Sequence, residues 1–133
     1  MVIVDTNVLA YFLIDGDRTR LARALYARDP EWRSEAFLLV EFSNVLATHL
    51  RSGGIDQVQA LSLMSQAEQR VRGLISLPHA IALRIAGEFG VSAYDARFLA
   101  VARQLGAKLV TEDKKLRAAA PALTQSMEQA LVG

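Results

Sequence analysis

The sequence predicts an α/β fold built on a mainly parallel sheet. Short β-branched or apolar runs alternate with stretches whose apolar residues recur every three or four positions, and parallel strands need such helical crossovers between them. At 133 residues, 52% of them apolar, the chain can bury a core of its own, so one domain spanning 1–133 without a linker is expected.

Val2-Ile3-Val4 has the pattern of a buried strand, and Asn7 to Ile14 follows it as helix. Asp15-Gly16-Asp17 is turn chemistry, with Asp17 placed to cap a helix over Arg18 to Arg28 that turns Leu21 and Leu25 inward and closes at Pro30. A strand over Trp32 to Ser34 leads into a helix from Phe37 to Leu50, where Leu38, Phe42, Val45, Leu46 and His49 share one face. Ser52-Gly53-Gly54 ends that helix, and Asp56 is placed to cap the next, whose core stripe reads Val58, Leu61, Met64, Ala67 and Val71.

Leu74 to Leu77 reads as another strand, Pro78 as the start of a helix that Gly90 terminates, and Tyr94 to Leu105 as one more, with Gly106 its left-handed cap. Lys108 to Thr111 reads as a buried strand, Asp113 to Ala119 as a brief helix stopped by Pro121, and Leu123 to Met127 as an edge strand.

The absence of cysteine removes thiol catalysis, disulfides and thiolate metal sites, and it suits a reducing compartment. The N-terminus lacks the pattern of a secretion signal and no apolar run is long enough for a bilayer, so a cytoplasmic, membrane-free protein is expected. A net charge of +1 makes a poor first case for an anionic partner. If metal ions took up four carboxylates, however, ten acids would face fifteen bases, a surface that permits RNA.

Ligands gather at the carboxyl ends of the strands in open parallel sheets, and Asp5 and Asp113 each stand just past a strand. Asp is also common in turns and helix caps, so neither residue is telling alone. At about 100° per residue, Glu41 falls roughly 60° from the middle of its helix's apolar stripe, beside Val45 and level with Asn44 and Thr48. Asp95 sits in a first helical turn, where the helix dipole favours any acid, yet its helical neighbours Phe98, Leu99 and Ala102 are apolar. Carboxylates near packed surface need compensation, and a divalent cation supplies it. Four of them would form an oxygen-only pocket suited to Mg²⁺ or Mn²⁺, ions that activate water for in-line phosphodiester hydrolysis.

Read together, Val-Asp-Thr-Asn at 4 to 7, Val-Glu-Phe-Ser-Asn-Val-Leu at 40 to 46, Tyr-Asp-Ala at 94 to 96 and Val-Thr-Glu-Asp at 110 to 113 resemble the PIN-domain family, and more narrowly the VapC-type toxins of toxin–antitoxin pairs. The resemblance spans nearly the whole chain. It implies a three-layer α/β/α sandwich and a Mg²⁺- or Mn²⁺-dependent endoribonuclease in which Asp5, Glu41, Asp95 and Asp113 are catalytic. Asp5 and Asp95 resemble the principal metal ligands, with Glu41 and Asp113 completing the pocket. Thr6, Asn7 and Thr111 resemble the supporting polar groups. The resemblance further implies an RNA substrate, homodimers and a cognate antitoxin covering the site.

Arg18, Arg20 and Arg23 after the first turn, and Lys114, Lys115 and Arg117 after the last acid, are candidate RNA-phosphate contacts, with a solvated helix face as the plain alternative. His49 and His79 lack metal-ligand spacing, and Tyr11, Phe12, Trp32 and Phe98 read as core or dimer-interface residues. A phosphatase of the haloacid dehalogenase type would need a second Asp where Asn7 stands, and a receiver domain would leave Glu41 unexplained. The better rival is a PIN-like domain that binds RNA or antitoxin with little or no catalysis.

Overall fold

A computed structural model describes residues 1–133. Five strands form one sheet: β1 (Val2–Val4), β2 (Trp32–Glu35), β3 (Val71–Ile75), β4 (Leu109–Val110) and β5 (Thr124–Gln125). Their order is β3-β2-β1-β4-β5 and every pairing is parallel. Eight helices connect and flank them: α1 (Thr6–Leu13), α2 (Thr19–Arg28), α3 (Phe37–Ser52), α4 (Gln57–Arg70), α5 (His79–Phe89), α6 (Ala93–Leu105), α7 (Lys114–Ala119) and α8 (Met127–Val132).

The first two crossovers step from β1 to β2 to β3 in one direction, and the rest of the chain returns to add β4 and β5 beyond β1. Right-handed crossovers running in opposite directions put their helices on opposite faces, which produces three layers. α1 packs on α2, α3 and α4, whereas α5 packs on α6, and α6 lies against β1, β2 and β4. Ile3, Val4, Leu109 and Val110 in the middle of the sheet are covered on both sides and almost wholly buried. The order reverses between β1 and β4, so that gap is the topological switch point.

Local chemistry accounts for many boundaries. Gly53, Gly90 and Gly106 end α3, α5 and α6 in the left-handed conformation, a backbone geometry that strains residues carrying a Cβ. Asp56 and Gln59 form a reciprocal capping box that starts α4.

Several expectations are corrected. Asp17 does not cap α2: the N-cap is Arg18, without a side-chain bond, and the turn is tied by Thr19, whose hydroxyl accepts from Gly16 N–H and donates to the Ile14 carbonyl, both at 3.0 Å. In α4 the buried residues are Ala60 and Ala67, while Val58 and Leu61 are 77% and 62% exposed. Ala67 and Val71 of the expected stripe are buried and Met64 packs against the core, so the stripe fails only in the first half of α4, where the small Ala60 makes the close contact and Val58 and Leu61 ride outside. β3 starts at Val71, directly after α4, rather than at Leu74, because its pairing begins where β2 begins, at Trp32. The last strand stops at Gln125: Ser126 and Gln129 form a second capping box, and Met127 is the buried first residue of α8.

Candidate active site

Asp5 leaves the carboxyl end of β1 and becomes the N-cap of α1, its carboxylate accepting from Val8 N–H at 3.0 Å. Asp113 repeats this after β4, capping α7 through Leu116 N–H at 3.1 Å. β1 and β4 are neighbours at the switch point, so the two acids stand on the same edge of the sheet. Glu41 comes from the second turn of α3 and Asp95 from the first turn of α6, the helix lying across the other face. Ser92 caps α6 by accepting from Asp95 N–H at 3.0 Å.

All four acids, with Thr6 and Asn7, line one cleft of about 440 Å³. Phe37, Val40, Tyr94 and Phe98 supply its apolar wall. Phe37 and Tyr94 stack at the mouth with ring centres 5.3 Å apart, and Val40 and Tyr94 are 58% and 60% exposed there. Neither ring, nor Val40, was singled out by side-chain reasoning, because an exposed apolar group near a polar site leaves no mark in helical periodicity.

The electrostatics are those of an uncompensated anionic site. Burial pushes the Asp5 carboxyl up from 3.8 to about 6; the Thr111 hydroxyl and Val8 N–H pull the other way, and the charges of Asp95 and Asp113 raise it further. Asp95 is raised by partial burial and by Asp113, against the Ser92 hydrogen bond. No basic group lies within ion-pair distance of any of the four acids. As the side chains stand, no three of them close around a common point in the manner of a formed metal centre. Like charges gain nothing by closing up without a cation, and three are held by their own bonds: Asp5 and Asp113 by caps, Glu41 by Thr6, whose hydroxyl donates to Oε1 at 2.6 Å. The donor set is hard oxygen without an internal cation, which fits Mg²⁺ or Mn²⁺ better than a softer metal.

Thr111 is fully buried beneath the cleft, where its hydroxyl accepts from Asp113 N–H at 3.1 Å. The basic candidates divide. Arg18 pairs with Glu112 at 3.0 Å, Arg23 with Asp15 at 3.1 Å and Arg117 with Glu112 at 3.4 Å, so their charges are partly answered within the chain. Arg20, Lys114 and Lys115 are exposed and make no ion pair. His49 bonds the Val45 carbonyl, and His79 meets Arg97 at 2.6 Å.

A residue that sequence reasoning passed over is Glu35, 2% exposed at the end of β2. It accepts from Phe37 N–H at 2.6 Å, Leu77 N–H at 3.1 Å and Arg97 Nη1 at 3.2 Å. Arg97 follows Asp95 by two residues on α6, so this cluster sets α6 against the start of α3 and thereby spaces Asp95 from Glu41. The available signal was an acid at the end of a buried strand, the same one that singled out Asp5.

Fold and cleft together define a three-layer α/β/α protein with a carboxylate-lined site at the switch point of a parallel sheet. The chain belongs to the PIN domain family, whose profile matches residues 2–121. It is similar to ribonuclease VapC3 of Pyrobaculum aerophilum, 26% identical over 125 residues that cover 91% of this chain and 95% of that protein. The crystal structure of PAE2754 from the same organism superposes with a TM-score of 0.80 at 24% identity, covering 98% of this chain and 92% of that one, a likeness of fold. No helix is long and apolar enough to cross a membrane.

Proposed function

We propose that this protein is a metal-dependent endoribonuclease, the toxin of a toxin–antitoxin pair, acting in the cytoplasm as one domain spanning residues 1–133. The observation that carries the reading is the convergence of Asp5, Glu41, Asp95 and Asp113, none with a basic partner, in one cleft at the switch point. Similarity to a ribonuclease named VapC3 supports the substrate class.

Asp5 and Asp95 are assigned as the principal ligands of Mg²⁺ or Mn²⁺, with Glu41 and Asp113 completing the pocket. When bound, the ion lowers the pKa of water and stabilises charge on the attacking and leaving oxygens of the phosphodiester. The chain's own part is positional. The Val8 N–H fixes one Asp5 oxygen, Thr6 aims Glu41, and the α7 cap holds Asp113 toward the cleft. Exposed Arg20, Lys114 and Lys115 are the better phosphate contacts, because Arg18, Arg23 and Arg117 already face carboxylates. The apolar lip of Phe37, Val40 and Tyr94 offers a surface to an antitoxin segment covering the site, and a homodimer completes the assembly.

The loose spacing of the acids favours a second reading, a domain that engages RNA or antitoxin and cuts little. Sequencing RNA 5′-ends after induced expression of wild type and Asp5→Asn separates the two. The nuclease reading expects new 5′-phosphate ends that vanish in the variant. New ends carrying a 5′-hydroxyl, the counterpart of a 2′,3′-cyclic phosphate on the upstream fragment, or identical profiles from both proteins, would overturn it.

A further inference from the structure

At the opposite end of the sheet from the acids lies a second cavity, of about 590 Å³, between the first residues of β2 and those of β3. All strands run parallel, so roughly 10 Å of strand separates it from the carboxyl ends. Its wall carries three guanidinium groups, Arg33, Arg70 and Arg72.

Each guanidinium is anchored, and each anchor is neutral. Arg33 Nε donates to the Gly73 carbonyl at 3.4 Å. Arg70 lies over the Tyr26 ring at 5.4 Å and donates to the Tyr26 hydroxyl at 3.4 Å. Arg72 Nε donates to the Gln69 carbonyl at 3.1 Å. None has a carboxylate within ion-pair distance, and the acid in the wall, Glu31, is 65% exposed and faces the N-terminal amine at 3.8 Å.

Two further features belong to this wall. Gly73 lies directly under Arg33: a Cβ there would fall 2.4 Å from Arg33 Nε, so the absent side chain is what lets Arg33 lie across the strand. Trp32, buried in the same wall, holds the chain's one buried side-chain polar atom without a hydrogen-bond partner, Nε1.

We propose that this pocket is an anion site for a phosphate-bearing ligand. Guanidinium forks match phosphate oxygens bidentately, and neutral anchoring fixes their geometry while leaving their charge to act outward. Arg18, Arg23 and Arg103 are paired with acids elsewhere on the surface, whereas Arg33, Arg70 and Arg72, grouped in one pocket, are not. The ligand is a phosphate group, borne by a small compound or by an RNA strand. The inference does not depend on the nuclease reading, since no acid of the cleft takes part.

The test is calorimetric titration of the full chain with sodium pyrophosphate in metal-free buffer containing chelator. Saturable single-site binding is expected, unchanged in Asp5→Asn and weakened about tenfold in Arg70→Met and in Arg72→Met, the loss of one charge-assisted contact. Gly73→Ala should weaken it by displacing Arg33, with the circular dichroism of the fold retained. Competition by single-stranded RNA on Asp5→Asn protein would assign the phosphate to a polymer; saturable binding without competition would assign it to a small compound. Absence of saturable binding, equal affinity in the arginine variants, or tighter binding of glutarate than of pyrophosphate would overturn the proposal.

Discussion

Arg97 Nη1 stands 3.2 Å from Glu35 Oε1, joining the second turn of α6 to the end of β2, and the two side chains are 14% and 2% exposed. The same guanidinium bonds the Leu77 carbonyl at 3.2 Å, so α6, β2 and the segment leading to α5 meet at one charge pair. Its position two residues after Asp95 makes it a positioning group for the acid cleft.

Removing one partner leaves the other charge buried without compensation. Arg97→Met should therefore destabilise the protein by about 3–5 kcal/mol. Glu35→Gln combined with Arg97→Met removes the stranded charge but keeps an acceptor for one of the Phe37 and Leu77 N–H groups, which bond different oxygens of Glu35, so it should recover part of the loss. Urea denaturation of the two variants checks this. A double variant no more stable than Arg97→Met would show that the pair's charge is not what matters.

Asp5 makes stability depend on pH with a definite sign. Its carboxyl titrates at about 6 in the folded protein against 3.8 for the ordinary group, so the folded state holds that proton more tightly. The favourable contribution is present in full below about pH 4 and is lost as pH rises through 6, a difference of about 3 kcal/mol at neutral pH. Asp5→Asn should accordingly stabilise metal-free protein at pH 7.5 and change it little at pH 4. Adding Mn²⁺ should raise the wild-type Tm at pH 7.5 more than at pH 5, where protons compete, and chelation should leave the protein folded. Denaturation in chelator at both pH values reads the first effect; a variant less stable than wild type at pH 7.5 would refute the burial account.

Thr6 donates to Glu41 at 2.6 Å and is itself only 8% exposed. Thr6→Val keeps the shape and removes the bond, leaving Glu41 unaimed. The expected loss is about tenfold or more in activity or Mn²⁺ affinity, the usual scale for a group that orients a ligand. Stability should fall by only about 1 kcal/mol, because Glu41 keeps access to solvent in the cleft. Thr6→Ser should restore most of the activity. Equal activity of Thr6→Val and wild type in a metal-saturated cleavage assay would remove Glu41's orientation from the account.

Much of the architecture was legible because it is local. The β-branched run Val2–Val4, the glycines at 53, 90 and 106, and the Asp56 cap each act within a few residues, and each is found where the sequence places it. Where a reading failed, a longer-range contact overrode the local signal. Val58 and Leu61 have the spacing of a core stripe, yet α4 meets its neighbours through Ala60 and Ala67. Met127 continues a plausible strand in sequence, but the Ser126 capping box turns it into the start of α8.

The acids show the same division. That Asp5 and Asp113 follow strands, and that Glu41 and Asp95 sit beside apolar helix faces, is written in the order of residues alone. That they share one cleft depends on the sheet order, which sets β4 beside β1 and lays α6 across both, and on the Glu35–Arg97 pair that fixes α6 there. Periodicity can say which face of an element is apolar; it cannot say which distant element will cover that face. The choice is made by parallel strand pairing and burial between segments far apart in the chain, and so only the tertiary structure decided which carboxylates go without a cation and which arginines without an anion.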